Sequence, residues 1–171
     1  TYEKEGDGWT FYVYFYSPDD ESLRQYAEKV GVSVEKLSDP ANPAAILLNT
    51  AKIRLLDGFD SVQVVNIRKG EALPYQDREP TGEVRQIEIA ALTEELPMGV
   101  SSPQSADQIT LIVSRSVMAQ VMEHAEGTSD FDYYFRSSDP DALETSIEKL
   151  RQQYPEAQTF LNNEAASRRS D

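Results

Sequence analysis

The segment FYVYFYSPDDESLRQYAEKV, Phe11 to Val30, decides the fold, because it reads as a strand running directly into a helix. Phe11, Val13 and Phe15 alternate with Tyr12, Tyr14 and Tyr16, the period of a strand whose successive side chains face opposite ways. Both faces are aromatic or apolar, so one side is expected to be covered and the other half-covered. Ser17 is expected as N-cap, with Pro18 at the first helical position and Asp20 closing an S-x-x-D capping box. Leu23, Tyr26, Ala27 and Val30 then recur at helical spacing as one apolar stripe.

A second segment, FDYYFRSSDPDALETSIEKL, Phe131 to Leu150, repeats the first. The identical pairs are Phe11/Phe131, Tyr14/Tyr134, Phe15/Phe135, Ser17/Ser137, Asp19/Asp139, Leu23/Leu143, Glu28/Glu148 and Lys29/Lys149. Here Asp139 is expected to cap, Pro140 to take the first helical position, and Leu143, Ile147, Leu150 and Tyr154 to form the stripe. The likeness reads as two copies of one β-α unit.

Working outward, the turn cluster Ser38–Pro43 precedes a short buried strand at Ala44–Asn49. Asp57-Gly58 marks a turn between strands at 52–56 and 61–67. Lys69–Gly82, polar with two prolines, reads as a surface loop. In Val84–Leu92 the positions Arg85, Ile87, Ile89 and Ala91 share one face, with Ile87 and Ile89 the inward pair. Leu96–Gln108 is a Pro/Ser-rich loop and Ile109–Val113 a strand. Ser114 or Ser116 then caps a helix that carries Val117, Val121, Met122 and Ala125 inward and ends at Gly127. Ala157–Leu161 reads as a last strand, followed by an unanchored tail. The order is β-α-β, a β-rich middle, then β-α-β-α-β: an α+β domain in which split β-α units bracket a β-rich insertion.

Composition narrows the function. The 171 residues carry 16 Lys+Arg against 30 Asp+Glu, a net charge of −14, which opposes binding to a nucleic-acid polyanion. Hydrophobic residues at 39% are enough for a packed core. The longest uncharged apolar run, Ala44–Leu48, falls well short of the ~18 residues of a membrane span. Without cysteine there is no disulfide framework, Cys zinc site or thiol chemistry, and with His124 alone there is no histidine-rich metal site. The start at Thr1, without Met, reads as a processed or excised piece.

Catalytic patterns are weak. His124 sits near the C-terminal end of a helix, where a cation complements the dipole, and no G-x-S-x-G elbow accompanies it. Asp19-Asp20-Glu21 and Asp139/Asp141 are accounted for by helix N-termini, and Glu94-Glu95 by solvent. Neither a calcium loop nor a phosphate-cradling glycine motif occurs. Tyr12, Tyr14, Tyr16 and Tyr134 are expected to pack between elements rather than to stack bases. One loop stands out: Leu96-Pro97-Met98-Gly99-Val100 puts apolar residues around a glycine, and its tip must bury against this domain or a partner. Pro97, Met98, Gly99 and Val100 are therefore the candidate partner-contact residues. No catalytic, cofactor-binding or metal-binding residue is expected.

Several stretches carry a family likeness. They are Gln25–Gly31 (QYAEKVG), Asp39–Asn49 (DPANPAAILLN), Arg68–Glu71, Ile89–Val100 (IAALTEELPMGV), Ile109–Ser114, Tyr133–Leu150 and the tail Phe160–Arg169. Together they resemble the extracytoplasmic, MacB-like core domain of FtsX-like ABC transporter permeases of Gram-positive bacteria. The resemblance covers nearly the whole chain and rests on packing patterns. It implies a single extracytoplasmic domain fragment over 1–171, with a porter-like α/β part at 9–50 and 104–162 and a β-rich insertion at 51–103. It further implies a place on the extracellular side of the cell membrane, between two transmembrane helices. Such a domain is not an enzyme: a separate ABC ATPase subunit hydrolyses ATP, and the domain transmits that motion or recognises a peptide, lipid or lipoprotein. The full-length permease is expected to be dimeric, with no cofactor. Family domains begin with a β-α segment that this chain lacks, which implies a sheet edge left open to pairing. The alternatives are a stand-alone secreted binding or scaffold module and, less favoured, an extracellular hydrolase.

Overall fold

The computed structural model describes residues 11–55, 58–76, 83–100, 103, 105, 107–123 and 138–153. The chain divides into two compact units, Thr1–Asp130 and Phe131–Asp171. Several expectations lie outside the described residues: the strand at 131–135, the strand at 157–161, the turn at Asp57, and the placements of His124, Ala125, Gly127, Tyr134 and Tyr154.

In the first unit, strand β1 (Tyr12–Tyr16) leads into helix α1 (Asp20–Val30), short helix α2 (Val34–Ser38) and strand β2 (Ala44–Leu48). A hairpin of β3 (Thr50–Leu55) and β4 (Gly58–Gln63) follows, then β5 (Ala72–Tyr75), β6 (Arg85–Thr93), β7 (Gln108–Ile112) and helix α3 (Arg115–Met122). In the second unit the described element is helix α4 (Pro140–Gln153). The protein is thus of mixed α+β class.

Five strands form one sheet in the order β1-β7-β2-β6-β5, and β3-β4 form a separate two-stranded sheet. β1 runs parallel to β7, and β2 parallel to β6, whereas β7/β2 and β6/β5 are antiparallel. Of the strands between residues 51 and 103, β5 and β6 therefore share the sheet of β1, β2 and β7. Among the described residues β1 stands at one end of that sheet.

The central strand explains the layering. Every residue of β2, AAILL, is buried, so both of its faces are covered, as its unbroken apolar run requires. Ala45 and Leu47 join Ile87, Ile89, Ile109, Leu111, Leu73 and Tyr75 on one face, covered by Val117 and Val121 of α3. Ala44, Ile46 and Leu48 join Leu23, Tyr26 and Ala27 of α1 and Leu37 of α2 on the other. Phe15 of β1 and Tyr75 of β5 belong to the two end strands, yet their rings lie 5.1 Å apart. Flat, a five-stranded sheet would hold its end strands about 19 Å apart, so the sheet curls strongly toward the α3 face. Arg85 closes the curl. Its guanidinium lies 5.0 Å from the centre of the Tyr75 ring and donates to the carbonyls of Gln120 and Val121 near the end of α3.

Three local readings change. Asp19, not Ser17, caps α1: its carboxylate accepts from the backbone N–H groups of Glu21 and Ser22, so Pro18 falls outside the helix. An ionised carboxylate is a stronger acceptor than a hydroxyl, and Ser17 Oγ is buried with no hydrogen-bond partner among the described residues. Asp139 caps α4 as expected, accepting from the Ala142 N–H at 3.0 Å, with Pro140 leading the helix. Residues 69–82 are not all loop, because β5 lies within them with Leu73 and Tyr75 buried. Pro74 is tolerated there because, among the described residues, β5 is the terminal strand of the order and pairs with β6 alone. Finally, β6 carries a bulge: Ala45 pairs with Ile89 but Ile46 with Ala91, leaving Ala90 as the extra residue. The bulge moves Ala91 off the face of Ile87 and Ile89 and into the cluster under α1.

Candidate functional site

The segment Glu94–Val100 leaves β6 at Thr93 and is fixed to the α1 side of the molecule. Thr93 Oγ1 accepts the Glu95 N–H at 3.0 Å and so sets the direction in which the segment departs. Tyr26, the one residue of the α1 stripe with a polar tip, donates its hydroxyl to the Glu95 carbonyl at 2.6 Å. Tyr16, the last residue of β1, donates to the Met98 carbonyl at 3.0 Å. Lys29 Nζ pairs with Glu95 Oε2 at 2.6 Å, and Thr50 Oγ1 donates to Glu94 Oε1 at 3.3 Å. Burial, and then the nearby Glu95 carboxylate, push the Tyr26 phenol up to about 12 against the opposing hydrogen bond from Thr93. Tyr26 therefore remains a protonated donor at any neutral or mildly alkaline pH.

Within the segment the candidate residues separate into two roles. Pro97 is buried, and Val100 is half-buried against the cluster of α1, α2, β2 and β6. The Val100 N–H donates to the Pro97 carbonyl at 3.2 Å, closing a turn in which Gly99 holds φ +85°. A β-branched or bulky residue would be strained at that angle, which is why glycine occupies it. Met98, at 40% exposure, and Leu96, at 43%, point to solvent. The segment is thus a braced turn that presents two apolar side chains outward and anchors itself with two others.

The tyrosines of β1 behave differently from one another. Tyr16 packs against the helix-side cluster, but Tyr12 and Tyr14 are exposed, Tyr14 by 52%. Packing between elements thus describes Tyr16 alone of the three. The reason is lateral: the helix-side cluster is built on β2 and β6 and reaches only Ile112 of β7, so α1 and α2 stop short of the outer part of β1.

Several carboxylates among the described residues are occupied with local structure. Asp19 caps α1, Asp39 accepts from the Ala41 N–H and the Asn42 side chain, and Glu94 and Glu95 take Thr50 and Lys29. Among the described residues no group of three His, Cys, Asp or Glu is arranged to hold a metal ion, and no helix is long and apolar enough to cross a membrane. Sequence reading found the exposed turn but missed its anchors, Tyr16, Tyr26 and Lys29. The available signal was Tyr26, because a buried tyrosine in an apolar stripe requires an acceptor for its hydroxyl. No protein-family model, curated protein or solved structure matches the chain.

Proposed function

We propose that the protein is the extracytoplasmic domain of an FtsX-like ABC transporter permease, transmitting ATP-driven motion or recognising a peptide, lipid or lipoprotein outside the membrane. The observation that carries the reading is the turn within Ile89–Val100, one of the stretches that bear the resemblance. It is braced to α1 and β1 by two phenols and displays Leu96 and Met98. An apolar contact point whose neighbouring phenols and carboxylates are engaged in holding the turn suits a partner surface better than a catalytic centre. In this reading the β-α segments at 11–30 and 131–150 are repeated porter-like units, the ATPase is a separate subunit, and the working permease is a dimer on the cell membrane.

The complete reading frame provides the test. The proposal requires an apolar span of about 20 residues before residue 1 and another after residue 171. A frame without such spans, or one carrying only a cleavable leader, sinks it in favour of a stand-alone secreted module.

A further inference from the structure

Residues 94–100 take no part in either sheet, although they leave directly from β6, a strand paired on both of its edges. What holds them to the body is of another kind. Among the described residues two phenol hydroxyls reach two backbone carbonyls, the Thr50 hydroxyl reaches the Glu94 carboxylate, one exposed ion pair joins Lys29 to Glu95, and Pro97 and Val100 bury apolar surface. The Val100 N–H bond to Pro97 is internal to the turn and survives if the turn lifts off as a whole. Segments secured by few buried side chains, outside the hydrogen-bond ladder, belong to the part of a protein that opens before it unfolds.

We propose that residues 94–100 form a strap that opens as a unit while the five-stranded sheet stays folded, with Tyr16 and Tyr26 as its two latches. Opening releases Val100 from the helix-side cluster, uncovers Pro97 and frees both phenols from the strap carbonyls. It thereby enlarges the apolar surface already offered by Leu96 and Met98. Both latches are neutral donors to carbonyls, so ionic strength acts on the strap through its carboxylates, Glu94 and Glu95, rather than through the latches. Strap opening stands whether or not the chain belongs to a transporter.

The absence of cysteine makes the test direct, because a single introduced thiol is the only one in the chain. Val100→Cys reports on the strap and Val113→Cys, in the core on the opposite face, reports on global unfolding. Labelling with a thiol reagent is measured for each across a series of low urea concentrations. Val100→Cys is expected to react on the order of a hundredfold faster than Val113→Cys, with little urea dependence, because strap opening exposes little surface. Adding Tyr16→Phe or Tyr26→Phe, which keep the ring and remove the hydroxyl, should each speed Val100→Cys labelling roughly fivefold. Three results overturn the proposal. These are that Val100→Cys shares the rate and steep urea dependence of Val113→Cys, that it reacts as fast as a free thiol before any latch is removed, or that neither phenylalanine variant alters its rate. The urea comparison needs neither phenylalanine variant, so it decides the matter even where one fails to fold.

Discussion

Asn49 shows how one buried polar residue organises its surroundings. It follows β2 directly and is 5% exposed, yet every polar group of its side chain is used. Its Nδ2 donates to the Val65 carbonyl at 2.7 Å, and its Oδ1 accepts the Val65 N–H at 2.9 Å, so it pairs with the chain beyond β4 as a backbone amide would. Gln63 also donates to the Val65 carbonyl, so Asn49→Ala leaves the Val65 N–H as the bare group. That substitution is expected to lower unfolding stability by about 1–3 kcal/mol, read from urea titration; a loss under half of the lower figure would show that water replaces the side chain. Asp19 is a different case, exposed and charged. The hydrogen bond from the Ser22 hydroxyl first, then the backbone N–H of Ser22, hold its carboxyl below the ordinary value of 3.8. A depressed folded pKa means that its contribution is complete above pH 3.8 and disappears as pH falls through the lower folded value. Asp19→Ala should therefore cost about 1 kcal/mol at pH 7, and the gap between variant and parent should close below pH 3.8. A gap that does not narrow as the pH is lowered from 7 to well below 3.8 would contradict a contribution from the ionised cap.

At the scale of elements, legibility depended on where the information lay. The α1 stripe was readable because Leu23, Tyr26 and Ala27 follow the helical period, and Asp139 with Pro140 was readable because capping is local chemistry. The helix also ends by a local rule: Gly31 at φ +76° lets its N–H reach Glu28 while the Val32 N–H reaches Ala27. A Cβ at Gly31 would meet nothing within 4 Å, so Gly31→Ala suffers only from the backbone angle. Its expected cost is about 1–2 kcal/mol by thermal or urea unfolding, and a neutral result would mean that the helix end readjusts. β5 was hidden because Pro74 argues against a strand unless the strand is known to be an edge, and edge status is a property of the sheet. The bulge at Ala90 was equally hidden, since nothing within β6 records that Ile46 will lie opposite Ala91. β2 is the element whose loss matters most. Leu47 is fully buried against the α3 face, and Leu47→Ala should cost about 2–5 kcal/mol, a large share of the ~5–15 kcal/mol that holds a domain folded. A smaller loss in urea unfolding would show that the curled sheet collapses onto the cavity.

For the molecule as a whole, charge and curvature are the governing features. Thirty acidic residues against sixteen basic ones leave a net charge of −14, and the ion pairs described on α1 and at Glu95 are exposed. Self-repulsion therefore outweighs these pairs, and added salt should stabilise the fold. Raising sodium chloride from low to physiological concentration is expected to lift the melting temperature by roughly 2–4 °C, and a fall would show that specific ion pairs dominate. Curvature had no counterpart in the sequence: Phe15 and Tyr75 meet only because the sheet bends its two end strands toward each other. The sequence by itself determined the acidity, the lack of cysteine, the α+β class, the apolar run of β2 and the turn around Gly99. These follow from composition, side-chain period and local backbone preference. Tertiary structure alone decided that β5 and β6 share a sheet with β1, that Pro97 and Val100 face inward while Leu96 and Met98 face out, and that Tyr16 and Tyr26 hold the strap. Such outcomes depend on which distant segments become neighbours, and contacts spanning 69 and 82 positions leave no local trace in the chain.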